Sequence, residues 1–282
     1  MFGTVTIVGV GLISGSFALA LKQRNLAAKV IGVSRTEASA RKALELGLVD
    51  EVLPLEEAVK QSDLIYIAIP VDATIPVLNQ VLDLLQPGQI VTDAGSTKEA
   101  LCNAVAEHPR RGRFVAAHPM WGTEYSGPEA AVKDAFQGRA CVICEKECTD
   151  ADALAKVEQV YRQIGMHITY MGAASHDMHA AYVSHISHIT SFALANTVLE
   201  KEKEEDAIFE LAAGGFESTV RLAKSNAAMW VPIFLQNKEN ILDVLNEHIT
   251  QLRKFKACLE KENSDYLQEL IENANKIRRI LR

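Results

Sequence analysis

Through its first 170 residues the chain alternates short apolar runs with amphipathic stretches. The runs in Thr4-Val-Thr-Ile-Val-Gly9, Lys29-Val-Ile-Gly-Val33, Asp63-Leu-Ile-Tyr-Ile-Ala-Ile-Pro70, Gln89-Ile-Val-Thr-Asp93 and Val115-Ala-Ala-His118 predict strands near 3–9, 29–33, 63–69, 89–93 and 113–117. Near-continuous apolar character suits parallel strands covered on both faces. Helical periodicity lies between them, as from Ala73 to Leu85, which stops at Pro87-Gly88. Ala140–Cys144 and His167–Tyr170 read as two added strands flanking a helix over Ala151–Ile164. The pattern predicts an α/β, doubly wound parallel sheet with a short extension.

From Ser175 onward the period changes. Ser175–Leu199, Glu204–Ala213, Ser218–Ala223, Trp230–Lys261 and Ser264–Leu281 read as helices, and no strand is expected. The division is therefore placed at residues 1–172 and 173–282. Lys201–Asp206 is a charge run suited to a solvated loop or helix start. Long amphipathic helices in an all-α half predict packing against a second copy, hence a homodimer.

Composition narrows the partners. A chain of 282 residues can bury a good core in two domains. Its net charge of −7 argues against nucleic acid, though a local Arg/His pocket can still hold an anionic small molecule. No apolar run is long enough to span a membrane. The chain enters its first strand at once, so no signal peptide and a cytoplasmic location are expected. The five cysteines are an odd count that points to free thiols. Cys141 and Cys144, three apart on one strand, would face opposite ways, and with Cys148 they lack a fourth ligand, so no metal is expected.

Gly9-Val-Gly11-Leu-Ile-Ser14-Gly15 follows the first strand and opens a helix at Phe17-Ala-Leu-Ala-Leu. Gly9 suits a tight turn. Gly11, Leu12 and Ile13 would bring backbone amides to a pyrophosphate at the helix N-terminus. Ser14 stands where a third glycine is usual. The second strand ends in Ser34-Arg35, without the acidic residue that takes ribose hydroxyls. A hydroxyl and a guanidinium suit a 2′-phosphate, which favours NADP over NAD. Alternatively, Arg35 is solvated and stacks on adenine without discriminating. Ile69 and Pro70, at the end of the third strand, complete the expected cofactor edge.

His118 ends the fifth strand, at the carboxyl edge where ligands of open α/β sheets bind. An imidazole there can share a proton with a substrate hydroxyl near neutral pH. As a bare motif, His-Pro capping a strand is an equally good reading.

The glycine turn, Asp93-Ala-Gly-Ser96-Thr-Lys98, His118-Pro-Met-Trp-Gly-Thr-Glu124, His176-Asp177 with Ser184-His185-Ile-Ser-His188, and Gly214-Gly-Phe-Glu-Ser-Thr-Val-Arg221 with Met229-Trp230 occur in this order over nearly the whole chain. Together they closely resemble the prephenate/arogenate dehydrogenase family of tyrosine biosynthesis. The resemblance implies a Rossmann-type domain followed by an all-α dimerisation domain. It also implies oxidative decarboxylation of prephenate to 4-hydroxyphenylpyruvate, or of arogenate to tyrosine, with NADP or NAD as hydride acceptor.

On that resemblance His118 is the hydroxyl partner, with Ser96 bonding the same hydroxyl or orienting His118. Ser96 also suits an N-cap for a helix from Thr97, and Lys98 reads as a helix-surface residue. Arg221 would clamp a carboxylate through its planar fork, supported by His185, one turn before His188 on the same helix face. Thr123, Glu124, Gly214 and Trp230 would line the pocket, Trp230 alternatively serving the helical core. His188 receives no role, and His176-Asp177 reads as a structural helix start. The spacing of His176, His179, His185 and His188 would allow zinc, but the family uses no metal. Ser14 and Trp121 depart from the family pattern, and Trp121 would narrow the pocket. A regulatory βαβ domain is not expected, so any control by tyrosine would be competitive.

Two other readings compete. A β-hydroxyacid dehydrogenase would need a lysine donor in the helical half, and Lys201, Lys203 and Lys224 lie in polar surroundings. A non-catalytic nucleotide sensor would leave His118, Ser96 and Arg221 without a task.

Overall fold

The computed structural model describes residues 1–203 and 213–280. Eight strands form one sheet in the order β3-β2-β1-β4-β5-β6-β7-β8. These are β1 (Phe2–Val8), β2 (Ala27–Val33), β3 (Glu51–Val52), β4 (Leu64–Ile67), β5 (Ile90–Asp93), β6 (Phe114–Pro119), β7 (Ala140–Cys144) and β8 (His167–Met171). All neighbours run parallel except β6 and β7, where His118 lies opposite Val142 in an antiparallel ladder. The five principal strands and both added strands are found as expected. The two-residue β3 is an addition, because Glu51-Val52 has no apolar run to announce it.

Helices α1 (Leu12–Gln23), α2 (Glu37–Glu45), α3 (Leu55–Lys60), α4 (Val71–Leu84), α5 (Glu99–Ala104) and α6 (Ala151–Gln163) join these strands. Alternate residues of the central strands enter two apolar clusters, one on each sheet face. Leu64, Tyr66, Val115 and Ala117 join Phe17 and Tyr161 in one cluster. Ile65, Ile67, Phe114 and Ala116 join Leu78, Leu82 and Leu101 in the other. This double covering is what the apolar runs require. Phe17 stacks on Tyr66, with ring centroids 4.0 Å apart.

Helices follow: α7 (Ala173–Ala180), α8 (Ile186–Glu202), α9 (Gly214–Val220), α10 (Ala227–Gln236), α11 (Lys238–Glu260) and α12 (Ser264–Asn275). Three departures from the expected helices matter. A π-helical turn at Ala181–His185 separates α7 from α8 within the helix expected over Ser175–Leu199. A break at Asn237 divides the helix expected over Trp230–Lys261. Arg221–Lys224 turns as a 3₁₀ segment after α9. The helix expected over Glu204–Ala213 falls, up to residue 212, outside the described residues.

By compactness the chain divides into Met1–Asn237 and Lys238–Arg282. The second unit contains α11 and α12, joined by a turn in which Glu262 takes a left-handed φ of 50°. No helix among the described residues is long and apolar enough to cross a membrane.

Candidate active site

Strands β1, β2, β4, β5 and β6 are parallel, so their carboxyl ends share one sheet edge. Gly9 and Gly11 follow β1, Ser34 and Arg35 follow β2, Ile69 and Pro70 follow β4, Ser96 follows β5, and His118 lies near the end of β6. The sheet thus brings the sequence-predicted cofactor and catalytic residues to a single edge.

The turn after β1 fits a dinucleotide phosphate. Gly9 has φ of +88°, and a Cβ there would lie 2.6 Å from the Ala68 carbonyl, so only glycine is accommodated. A Cβ at Gly11 would meet nothing within 4 Å, which leaves room for a ligand beside the backbone. The Gly11 amide donates to Ser14 Oγ at 3.0 Å. The Leu12 and Ile13 amides open α1 with no acceptor among the described residues. The third-glycine task passes to Gly15, where a Cβ would lie 2.9 Å from Ala131 Cβ and 3.0 Å from Leu48 Cδ1. Ser34 Oγ donates to the Thr36 carbonyl at 3.0 Å. Arg35 is exposed and has no ion-pair partner among the described residues.

A hydrogen-bonded series runs inward from the edge. His118 Nδ1 lies 2.8 Å from His176 Nε2, and His176 Nδ1 lies 2.7 Å from Asp177 Oδ1. Asp177 also accepts the amides of Lys98 at 2.7 Å and Glu99 at 2.9 Å, capping α5 from another helix. Both its oxygens therefore act as acceptors, and His176 Nδ1 must donate. With the His176 ring neutral, its Nε2 is the acceptor, His118 Nδ1 the donor, and His118 Nε2 carries a lone pair. Burial, with His176, Lys98 and His185 nearby, holds the His118 pKa well below the usual imidazole value. The imidazole is thus neutral at pH 7 with its basic nitrogen available.

Here the structure corrects three expectations. Lys98 is fully buried, not on a helix surface, and its ammonium pairs with fully buried Asp93. Ser96 does not cap a helix: α5 starts at Glu99 with Lys98 as N-cap, and Asp177 supplies the capping oxygens. Half-buried Ser96 has no hydrogen-bond partner among the described residues. His176-Asp177 is more than a helix start, since both side chains belong to the His118 series.

A second group joins the helical segments to the loop after β6. Arg221 Nη1 donates to Glu124 Oε2 at 2.7 Å, with half of the Arg221 side chain exposed. The Glu124 carboxyl titrates below its usual range, through a backbone hydrogen bond first and the Arg221 guanidinium second. His188 stacks on Trp230 with centroids 3.4 Å apart, and His185 meets the same indole edge-on at 6.0 Å. Both histidines thus share a helix face, as their spacing predicts. Nearby Arg221 adds to burial in lowering the His188 pKa. Buried Trp230 packs with Val71 and Ile233, and its Nε1 has no acceptor among the described residues.

His185 is 1% exposed, and burial holds its pKa at about 4. Asn237 Nδ2 donates to His185 Nδ1 at 3.1 Å and to the Asp177 carbonyl at 2.7 Å. His185 is therefore a neutral donor through Nε2. Thr123 Oγ1 accepts from the Tyr125 amide at 3.3 Å, and Gly214 is exposed at the start of α9. Partly buried Trp121 packs edge-on against Phe136 at the border of the first apolar cluster. Among the described residues no three His, Cys, Asp or Glu side chains converge as metal ligands. Lys203 pairs with Glu200 at 2.7 Å on the surface, away from the role a hydroxyacid dehydrogenase would give it.

Comparison with known proteins gives this geometry a family. Residues 17–170 match the model of the prephenate dehydrogenase nucleotide-binding domain, and residues 172–273 that of the prephenate dehydrogenase dimerization domain. The chain belongs to the prephenate dehydrogenase family. It is an oxidoreductase of that family, with a nucleotide-binding sheet domain followed by helices. It is 31% identical to a prephenate dehydrogenase of Bacillus subtilis over 99% of this chain and 76% of the relative. It is 30% identical to a cyclohexadienyl dehydrogenase of Zymomonas mobilis over 100% of this chain and 97% of the relative. The prephenate dehydrogenase of Aquifex aeolicus, solved with hydroxyphenyl propionate and NAD+, superposes with a TM-score of 0.90 at 31% identity, covering 99% of this chain and 98% of that one.

Sequence reasoning gave His176 and Asp177 only a structural role, and it passed over Asn237 and the burial of Lys98. One signal was legible. Asp93 closes an apolar strand, and a buried carboxylate needs a partner, which Lys98 five residues later supplies.

Proposed function

We propose that the protein oxidatively decarboxylates prephenate to 4-hydroxyphenylpyruvate with NADP, the step of tyrosine biosynthesis that aromatises the ring. Residues 1–172 hold the dinucleotide, and residues 173–282 supply substrate contacts and the homodimer interface. The observation that carries the reading is the His118–His176–Asp177 series, which leaves a neutral, basic Nε2 at the nucleotide edge.

Gly9, Gly11, Leu12 and Ile13 hold the pyrophosphate, Ile69 and Pro70 border the cofactor, and Ser34 with Arg35 takes the 2′-phosphate. When bound, the nicotinamide supplies the hydride acceptor. His118 Nε2 accepts the proton of the ring hydroxyl as hydride leaves its carbon, and Ser96 Oγ bonds the same oxygen. The ring carboxylate departs as carbon dioxide, its bonding electrons complete the aromatic ring, and His118 returns the proton to the phenolate. Arg221 binds a substrate carboxylate in exchange for Glu124, and His185, Thr123, Gly214 and Trp230 complete the pocket. His188, stacked on Trp230 beside Arg221, belongs to the same anion-binding group.

Exposed Tyr182, Val183, Leu199, Val231 and Leu235, on the segments from Ala181 to Gln236, support pairing with a second copy. Arogenate is the alternative substrate, because it differs from prephenate only in its side-chain amino group. A rate assay crossing prephenate and arogenate with NADP and NAD tests all of this. Turnover of prephenate with NADP is the expected result, and Arg35→Ser lowers the NADP preference about tenfold, the size of one charged phosphate contact. Turnover with neither acid overturns the reading.

A further inference from the structure

The ion pair beneath the site has an unusual attachment. Asp93 Oδ1 accepts the Ala117 amide at 3.1 Å, and Lys98 Nζ donates to the Ala117 carbonyl at 2.9 Å. The two members of one fully buried pair therefore hold both polar groups of the residue before His118. Asp93 Oδ2 also accepts the Gly95 amide at 2.8 Å, fixing the loop that carries Ser96. In a parallel sheet this amide and carbonyl at the end of β6 would otherwise await a ladder partner. The β5–β6 ladder reaches only Thr92 opposite Val115.

We propose that Asp93 and Lys98 are a positioning pair that fixes His118 against Ser96, clamping Ala117 from both sides and tying the loop after β5 to the end of β6. The pair touches neither substrate nor cofactor and acts through His118, so the inference rests on the reading of His118 as the hydroxyl partner. The pair also has an electrostatic consequence. The titratable groups facing His118 are His176 from α7, Lys98 from the loop before α5, and His185 from the π turn. Around Lys98 and Asp93 lie the thiols of Cys102, Cys141 and Cys144, which burial pushes up and keeps neutral. Lys98 thus holds a fixed positive charge below the imidazole and disfavours its protonation.

Two variants test the pair. Lys98→Met keeps length without charge, and Asp93→Asn/Lys98→Met also removes the stranded carboxylate while preserving an acceptor for the Ala117 amide. Each is assayed for kcat, KM and the pH profile of kcat/KM, and the His118 ring is titrated by NMR in carbon-13-histidine protein. For Lys98→Met the expected result is a kcat at pH 7 lowered about 10- to 100-fold, with KM within about threefold. Its acid limb and His118 titration move up by about one pH unit, and those of the double variant by a smaller step. A limb and a titration that stay in place in both variants overturn the proposal, even if the rate falls, because only a structural strut then remains. If wild-type protein turns over neither acid, the reading of the reaction fails, and the NMR titration still decides the clamp.

Discussion

The proton-handling residues and the charge-binding residues of the site are built on opposite terms. His118, His176 and Asp177 are tied to one another and to the start of α5, and His176 and Asp177 are each only 2% exposed. Arg221, by contrast, is half exposed and holds Glu124 in a single ion pair. The first arrangement fixes tautomers and depresses a pKa, which needs burial and hydrogen bonds that do not move. The second must exchange one carboxylate for another, which needs solvent access and a partner that can leave. A dehydrogenase acting on a dianionic acid requires both, and this chain builds the first from the end of β6 with α7 and the second from the loop after β6 with the turn after α9.

The comparison is broken most directly at His118. His118→Asn removes the lone pair while keeping a polar side chain, and kcat/KM is expected to fall about 10³- to 10⁴-fold. Cofactor affinity should be unchanged, since the glycine turn is untouched. Equilibrium binding by nucleotide fluorescence, beside the rate assay, checks this. An equal loss of cofactor affinity would mean that the edge as a whole had collapsed.

Asp177→Asn sharpens the argument about tautomers. An amide facing His176 Nδ1 can donate, which reverses the series and leaves a hydrogen on His118 Nε2. A kcat loss of about 10²-fold or more is expected, with a smaller change in KM. Helix α5 also loses part of its cap, worth about 1 kcal/mol, so thermal unfolding is measured alongside. A variant as active as wild type would show that Asp177 serves only as the cap.

On the helical side, Arg221→Ala should act in the opposite sense. KM for the acid is expected to rise about 10- to 100-fold, while kcat changes severalfold at most, because the guanidinium holds a carboxylate equally well before and during reaction. Initial-rate kinetics over a wide substrate range separate the two parameters. A loss confined to kcat would place Arg221 with the proton-handling group and erase the contrast.

The same contrast explains what could be read from the sequence. Strand ends are legible because apolar runs are long and parallel pairing sends their carboxyl ends one way, so Gly9, Ser34, Ser96 and His118 were found with the edge they occupy. Burial of polar groups is not legible, because it depends on partners far along the chain. Lys98 sits in a polar hexapeptide and looked solvated, yet it lies over Asp93 and Ala117. Asp177 caps a helix about 78 residues before it. Asn237 ends α10 inside a stretch whose periodicity predicts one helix, and its amide bonds Asp177 and His185, more than fifty residues earlier. The π turn at Ala181–His185 left no mark in the spacing of its residues. Arg221 and Glu124 were found by motif, but their mutual pairing was not.

The smallest expected effect concerns stability, and it follows from His185. Burial holds its pKa at about 4, against 6.5 for an ordinary imidazole. Between those values the unfolded chain binds a proton at this position and the folded chain does not. Stability therefore falls as pH drops from about 6.5 towards 4, and is flat in this contribution above 6.5. The depressed pKa of His118 adds to the slope in the same direction. His185→Gln removes the titration while keeping a donor toward the pocket, so its loss of stability between pH 7 and pH 5 should be smaller than that of wild type, even though its stability at pH 7 is lower through the lost packing on Trp230. Urea unfolding at the two pH values gives the four numbers required. Parallel losses in the two proteins would mean that His185 takes up its proton without unfolding, and that the interior around Asn237 and Trp230 is as open to water as the Arg221 face.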